Sequence, residues 1–201
     1  MKVKYSDLKN KRIFITGGGS GIGASIVEHF CEQGSEVYFV DIDLKETKKL
    51  LNKIKKNKFR TPTFIECNLL DINKLEKTIK NIIAKKGPIH ALINNAANDD
   101  RHTTDQVDEK YWENRMAINL KHYFFAAKAV VKSMKKMKAG SIVNLSSVSW
   151  MLGEGDKVVY ETAKSAVVGL TRSFAQEYGK YNIRTNSVVP GSIATERQIK
   201  H

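Results

Sequence analysis

Thr16-Gly17-Gly18-Gly19-Ser20-Gly21-Ile22-Gly23 joins an apolar, β-branched run, Arg12–Thr16, to a stretch with helical spacing, residues 21–33. The first pattern predicts a strand and the second a helix, which Gly34 ends. Glycines at the join let the backbone turn sharply and approach a ligand closely. The first helical turn adds unpaired N–H groups and the positive end of the helix dipole. Strand, glycine turn and helix N-terminus in this order form a cradle for a pyrophosphate. A merely structural glycine turn is the competing reading, and its place between strand and helix argues against it.

The alternation repeats outward from this loop. Glu36–Asp41 predicts a second strand and Leu44–Lys56 a lysine-rich amphipathic helix. Residues 63–67 predict a third strand, 74–85 a helix, and Ala91–Asn94 a fourth strand. After a polar loop come a long helical region at 109–137, a strand at 141–145, the helix Val158–Tyr178 and a strand at 185–189. Such alternation implies right-handed βαβ crossovers: an α/β, Rossmann-type, doubly wound parallel sheet in a three-layer αβα arrangement. No internal repeat, low-complexity tract or linker divides the chain, so residues 1–201 read as one domain.

Asp41 closes the second strand, about 20 residues beyond the glycine turn, where a carboxylate accepts both hydroxyls of an adenosine ribose and repels a 2′-phosphate. The other reading of Asp41 is a helix cap. With the glycine loop the NAD reading dominates, and Lys45 nearby softens the discrimination against NADP. Tyr160 and Lys164 lie one turn apart on one helix face. Alone the pair means little, since a mid-helix Tyr is usually packing and a Lys usually solvated. Ser147 follows the fifth strand, at the sheet edge where ligands of such folds lie.

The chain carries 34 Lys and Arg against 21 Asp and Glu, a formal net charge of +13. A field of that sign attracts nucleic acid or acidic membranes. The lysines are spread over several helices with no aromatic platform or nucleic-acid motif among them, so a solvated basic surface and no specific nucleic-acid partner are expected. Cys31 and Cys67 form no CxxC pair, which points to a reducing cytoplasm and to neither a zinc site nor a redox motif. No apolar run approaches the ~20 residues a membrane span needs. The first ten residues lack the apolar core of a secretory signal.

TGGGSGIG at 16–23, NNAA at 94–97, Asn119, Ser147, YETAK at 160–164 and PGSIAT at 190–195 together resemble the short-chain dehydrogenase/reductase family, from about Lys11 to Thr195. The resemblance implies a catalytic set of Asn119, Ser147, Tyr160 and Lys164. Tyr160 would be the general acid/base, its phenolate favoured by the Lys164 ammonium and an oxidised nicotinamide. Lys164 would also hold the nicotinamide ribose, Ser147 the substrate oxygen, and Asn119 a relay water in a kinked helix. It further implies cofactor contacts from Gly17, Ser20, Gly21, Ile22, Gly23, Asp41, Asn68, Leu69, Asn95, Tyr160, Lys164, Pro190, Ile193 and Thr195. Asn68 stands where relatives have Asp, and Ala97 where they have Gly.

Asn94–His102, Ser146–Glu154 and the Thr195-Glu196-Arg197-Gln198 run resemble bacterial D-xylose 1-dehydrogenases and neighbouring aldose dehydrogenases. That implies NAD-linked oxidation of an anomeric hydroxyl, with Trp150 against a sugar ring and Glu154 accepting hydroxyls. Packing is the alternative for Trp150, and a self-paired surface loop the alternative for Asp99-Asp100-Arg101-His102. A metal site there is not expected. The other readings left open are a short-chain enzyme for a polyol, steroid or hydroxyacyl substrate, and a non-catalytic binding protein. The resemblance also implies a homodimer or homotetramer, with Met116, Leu120, Phe124 and Val131 as an apolar stripe. Family members continue beyond the PG segment, so a missing last strand and an incomplete C-terminal part are expected here.

Overall fold

The computed structural model describes residues 3–195. Its strands are Arg12–Thr16 (β1), Glu36–Asp41 (β2), Thr63–Glu66 (β3), Ala91–Asn94 (β4), Gly140–Leu145 (β5) and Ile183–Val188 (β6). They form one sheet in the order β3-β2-β1-β4-β5-β6, every neighbouring pair parallel. The helices are Gly21–Glu32 (α1), Leu44–Lys56 (α2), Ile72–Lys86 (α3), Glu109–Met116 (α4), His122–Met137 (α5), Ser149–Leu152 (α6) and Val158–Tyr178 (α7).

Alternation along the strands sorts side chains onto two faces. Phe14, Tyr38, Val40, Leu92, Ile142 and Ile183 pack with residues of α3, α5 and α7, such as Ile79, Val130 and Phe174. Ile13, Ile15, Val37, Phe39, Ile93 and Leu145 pack with residues of α1 and α2, such as Val27, Leu50 and Ile54. Both faces of a parallel sheet are thus covered, which is why β1 and β2 read as continuous apolar runs. Burying one such Ile or Phe side chain contributes about 1.5–3 kcal/mol.

Local chemistry sets the ends of the helices. Asp43, Asp71 and Asp108 cap α2, α3 and α4, each accepting the N–H of the residue three further on. Lysines crowd the last turns of α2 and α3, where they complement the helix dipole. Gly34, at φ +76°, stops α1 as its left-handed cap.

β1 lies between β2 and β4, so the chain order reverses across the β1–β4 pair. The crevice outside the C-terminal ends of these strands is where ligands of open α/β sheets bind. The glycine turn follows β1, Asp41 ends β2, Asn95 follows β4, Ser147 follows β5 and Pro190 follows β6.

The helix expected at 109–137 is not continuous. A π-helical stretch, Ala117–Lys121, separates α4 from α5, and the His122 N–H reaches back to the Ala117 carbonyl. An inserted wide turn of this kind displaces the helix locally and is found often at functional sites. The short helix α6 and the 3-10 turns at Ser6–Leu8, Thr104–Gln106 and Gly179–Tyr181 have no periodic signal in the sequence. No helix among the described residues is long and apolar enough to cross a membrane.

Candidate active site

The glycine turn is built for close approach. Gly17 and Gly21 sit at φ +65° and +52°, where a side chain is strained. A Cβ on Gly18 would meet the Phe39 ring at 2.7 Å, and one on Gly23 would strike the Gly17 carbonyl. Asn95 braces the turn, its amide donating to the carbonyls of Thr16 at 3.2 Å and Gly17 at 2.8 Å. The Thr16 hydroxyl accepts the N–H groups of Asn95 and Ala96 at 3.0 and 3.2 Å. The side chain of Ser20 makes no capping bond at the start of α1. The first-turn backbone N–H groups of α1 thus receive no side-chain cap from Ser20, and a helix start of this kind can receive a phosphate. Ile22 is half-buried in the first turn of α1.

Asp41 does not cap a helix; Asp43 does. The Asp41 carboxylate turns toward the glycine loop, accepting Gly19 N–H at 2.7 Å on one oxygen. The other oxygen takes Ile42 and Asp43 N–H at 2.7 and 2.9 Å. Beyond β3, Asn68 is exposed and its side-chain carbonyl accepts Leu70 N–H at 3.0 Å, while the Leu69 side chain is buried in the core. A ligand in that quarter therefore meets the Leu69 backbone and not its side chain. Pro190 accepts Val148 N–H at 3.0 Å, tying the segment after β6 to the one after β5. Ile193 is exposed, and Thr195 lies across the loop at Gly21. Of the sequence segments singled out for the sugar dehydrogenases, 196–198 fall outside the described residues.

At the other end of the crevice, Asn119 sits in the middle of the π-helical stretch, fully buried. Its amide pairs with the backbone of Asn98, accepting the N–H at 2.8 Å and donating to the carbonyl at 3.0 Å. The Ser147 hydroxyl lies 2.9 Å from that of Ser149 and accepts its N–H. Tyr160 is half-buried in the first turns of α7, and the Lys164 ammonium lies 5.6 Å from the centre of its ring. Lys164 is itself buried and donates to the Leu145 carbonyl at 2.7 Å and the Tyr123 hydroxyl at 2.8 Å. Burial pushes its pKa down to about 7, and the nearby Asp99 carboxylate opposes that fall.

The two sugar-ring candidates differ. Trp150, in α6, is half-buried with its Nε1 sealed from solvent and without a hydrogen-bond partner among the described residues. Glu154 is exposed, ion-paired with Lys157, and its backbone N–H donates to the Glu161 carboxylate. The loop from Asn98 to His102 is not merely self-paired. Asp100 binds Arg115 of α4 at 2.9 Å, Arg101 pairs with Asp156, and His102 accepts Val159 N–H of α7 at 3.3 Å. The other His102 ring nitrogen lies 2.8 Å from the Tyr111 hydroxyl and 3.0 Å from the Asp100 carbonyl. Among the described residues no group of three or more His, Cys, Asp or Glu side chains is disposed to hold a metal.

Sequence reasoning missed His122 and Tyr123, and it named Thr16 and His102 without their bracing contacts to Asn95 and Val159. His122 is buried, with its Nε2 3.4 Å from the Thr16 hydroxyl, and burial pushes its pKa down to about 3. The one usable signal was spacing: Tyr123 follows Asn119 by one helical turn, on the same face.

Comparison with known proteins agrees with this geometry. Residues 11–201 match the short chain dehydrogenase family. The chain is 42% identical to the D-xylose 1-dehydrogenase of Caulobacter vibrioides over 98% of its own length and 77% of that protein. It is 40% identical to a protein of Rhizobium meliloti named a probable galactose dehydrogenase, over 97% of this chain and 76% of that one. Among solved structures, the ligand-free aldohexose dehydrogenase of Thermoplasma acidophilum superposes with a TM-score of 0.83 at 32% identity, covering 96% of this chain and 70% of that one. The family match over residues 11–201, a six-stranded parallel sheet with a glycine turn at its switch point, and relatives named as dehydrogenases and reductases establish that the chain is an oxidoreductase of the short-chain dehydrogenase/reductase family.

Proposed function

We propose that the chain oxidises the anomeric hydroxyl of an aldose such as D-xylose, with NAD as the hydride acceptor, using Asn119, Ser147, Tyr160 and Lys164. The observation that carries the reading is the pairing of Tyr160 with the buried Lys164 ammonium on α7, in a fold whose glycine turn leaves no room for a Cβ at several positions. The cradle fits the cofactor on its own geometry, since several of its glycines have no room for a Cβ. NAD, when bound, supplies the carbon that receives the hydride.

The residues of the chain do the rest. Ser147 holds the substrate oxygen by a hydrogen bond, for which its hydroxyl swings from Ser149. Tyr160, as phenolate, takes the proton of the anomeric hydroxyl while the C–H bond electrons leave as hydride. The sugar is left as a lactone and Tyr160 as a phenol. The Lys164 ammonium favours the phenolate by its charge and orients the nicotinamide ribose. Asn119, whose amide fixes the loop at Asn98, holds a water of the proton relay at the π-helical turn. Trp150 offers a ring face to the sugar, and the carboxylates of Asp99 and Glu154 serve its hydroxyls. Asp41 selects NAD over NADP. The relatives named for xylose, galactose and aldohexose oxidation support the sugar.

The test is NAD reduction with a panel of aldoses, polyols and hydroxyacyl compounds, run on unmodified protein and on Tyr160→Phe. Aldoses should be the preferred donors, and Tyr160→Phe should lower turnover about 100-fold or more with little change in NAD affinity. Near-normal turnover by Tyr160→Phe would sink the mechanism. Preference for a non-sugar alcohol would move the substrate to another branch of the family.

A further inference from the structure

Tyr123 is the largest fully buried side chain among the described residues, and its ring is not its only contribution. Its hydroxyl lies 2.8 Å from Lys164 Nζ, 3.0 Å from the Leu145 carbonyl and 3.4 Å from the Ala96 carbonyl. A phenol has one proton to donate, and the nearer carbonyl, Leu145, is its better acceptor. The ammonium has only protons to give, so the phenol oxygen accepts from Lys164. Nζ also lies 4.9 Å from the centre of the Tyr123 ring, within cation–π range.

From this arrangement we infer that Tyr123 is a positioning residue for Lys164, holding its ammonium charged and aimed at Tyr160. The inference rests on the catalytic reading given above and adds a residue to it. Of the three ammonium protons, one goes to the Leu145 carbonyl and one to the Tyr123 hydroxyl. The third is left for the cleft, where Tyr160 and the cofactor ribose belong. Two fixed anchors on different elements, one on β5 and one on α5, determine the direction of that third proton. A long, flexible lysine side chain has no such direction of its own.

The anchor also bears on charge. Burial disfavours the ammonium and pulls its pKa to about 7, so each acceptor in the pocket decides how much of it stays charged. The groups that face it are few. Asp99, from the loop after β4, stabilises the positive form. Tyr160, on the same helix, lies at 5.6 Å from its ring centre, and Tyr123 comes from α5. His122, also from α5, feels the Lys164 charge and is held neutral by burial near neutral pH. Removing the Tyr123 oxygen takes away one acceptor of the charged form and leaves the desolvation in place.

The experiment is an NMR titration of protein labelled at the lysine ε-carbon, with the Lys164 signal assigned by its loss in Lys164→Arg. In Tyr123→Phe the Lys164 midpoint should fall by about one pH unit, the scale of losing one hydrogen bond to a charged group. The fall of kcat/KM at high pH should move down with it, and NAD affinity should weaken. A filler of the core without this bond would move neither the Lys164 midpoint nor the pH profile. If Tyr123→Phe does not fold, the Tyr123 ζ-carbon signal of the unmodified protein should shift across the Lys164 midpoint, and a signal flat through that titration overturns the bond. A midpoint that stays or rises, with a superimposable pH profile, overturns the role of Tyr123. The catalytic reading fails separately, if Tyr160→Phe and Lys164→Ala keep aldose turnover. The titration needs no turnover and still decides on Tyr123 in that case.

Discussion

The Asp41 carboxylate accepts the Gly19 N–H at 2.7 Å, which ties the acid at the end of β2 to the glycine turn after β1. In the proposed NAD site Asp41 would have two tasks: to order the turn and to present a negative charge to the adenosine ribose. Asp41→Asn keeps acceptor capacity for Gly19 and loses the charge, whereas Asp41→Ala loses both. Asp41→Asn should narrow the preference for NAD over NADP while leaving the loop intact. Asp41→Ala should in addition weaken NAD binding about tenfold or more, the scale of a charge-assisted hydrogen bond. Dinucleotide titration of both variants checks this, and equal use of NADP by the unmodified protein would contradict the assignment.

Gly23 packs against the loop backbone and lies beside the Asn95 amide, 2.6 Å from where a Cβ would stand. Gly23→Ala cannot be relieved by a rotamer change, because the first obstacle is the Gly17 carbonyl. Overpacking of this sort costs about 1–3 kcal/mol, and here the displaced group is the cradle itself. NAD affinity should collapse while the melting temperature falls by several degrees. A variant that binds NAD normally would show that the glycine turn is structural only.

His122 gives the protein a defined weakness in acid. Its folded pKa is pushed from the ordinary 6.5 down to about 3 by burial. Between those values the unfolded chain binds a proton that the native chain does not. Stability therefore falls as pH drops from 6.5 toward 3, at about 1.4 kcal/mol per pH unit for this group. Lys164 acts with the same sign at higher pH: its folded pKa of about 7 against the ordinary 10.5 makes stability rise with pH across that window. Urea unfolding at a series of pH values should show His122→Gln with a shallower acid slope than the unmodified chain. Parallel slopes would contradict it.

Phe124 leaves 44% of its surface exposed beside Leu120, Lys121, Phe125, Ala166 and Leu170, which line a largely apolar groove between α7 and the π-helical stretch with the start of α5. Val131, expected in the same stripe, instead faces the core. The exposed part fits the proposal of a symmetric oligomer through these helices. Light scattering should show a dimer or tetramer, and Phe124→Asp should shift it toward monomer without unfolding the chain. A monomer at micromolar concentration would remove the proposal.

Much of this protein is written locally in its sequence. Strand-to-helix alternation sets the order of elements, because apolar periods of two and about 3.6 residues select strand and helix directly. The glycine turn and the Asp41 position follow from the same local logic. So does the shared face of Tyr160 and Lys164, which is fixed by a single helical turn. The family follows from the same motifs, taken in order.

What only the tertiary structure decided lies between residues far apart in the chain. By sequence Asp41 could be a helix cap; its bond to the Gly19 N–H, 22 residues away, gives it another role, and the cap is Asp43. The Asn119 amide is engaged by Asn98, the α7 N-terminus is bonded by His102 from 57 residues back, and Lys164 is anchored by Tyr123 at a separation of 41. A buried polar group must find a partner, but its sequence does not say which one folding will deliver. The pKa of Lys164 has the same origin: its side chain is an ordinary lysine until the sheet, α5 and α7 close around it and take away its water.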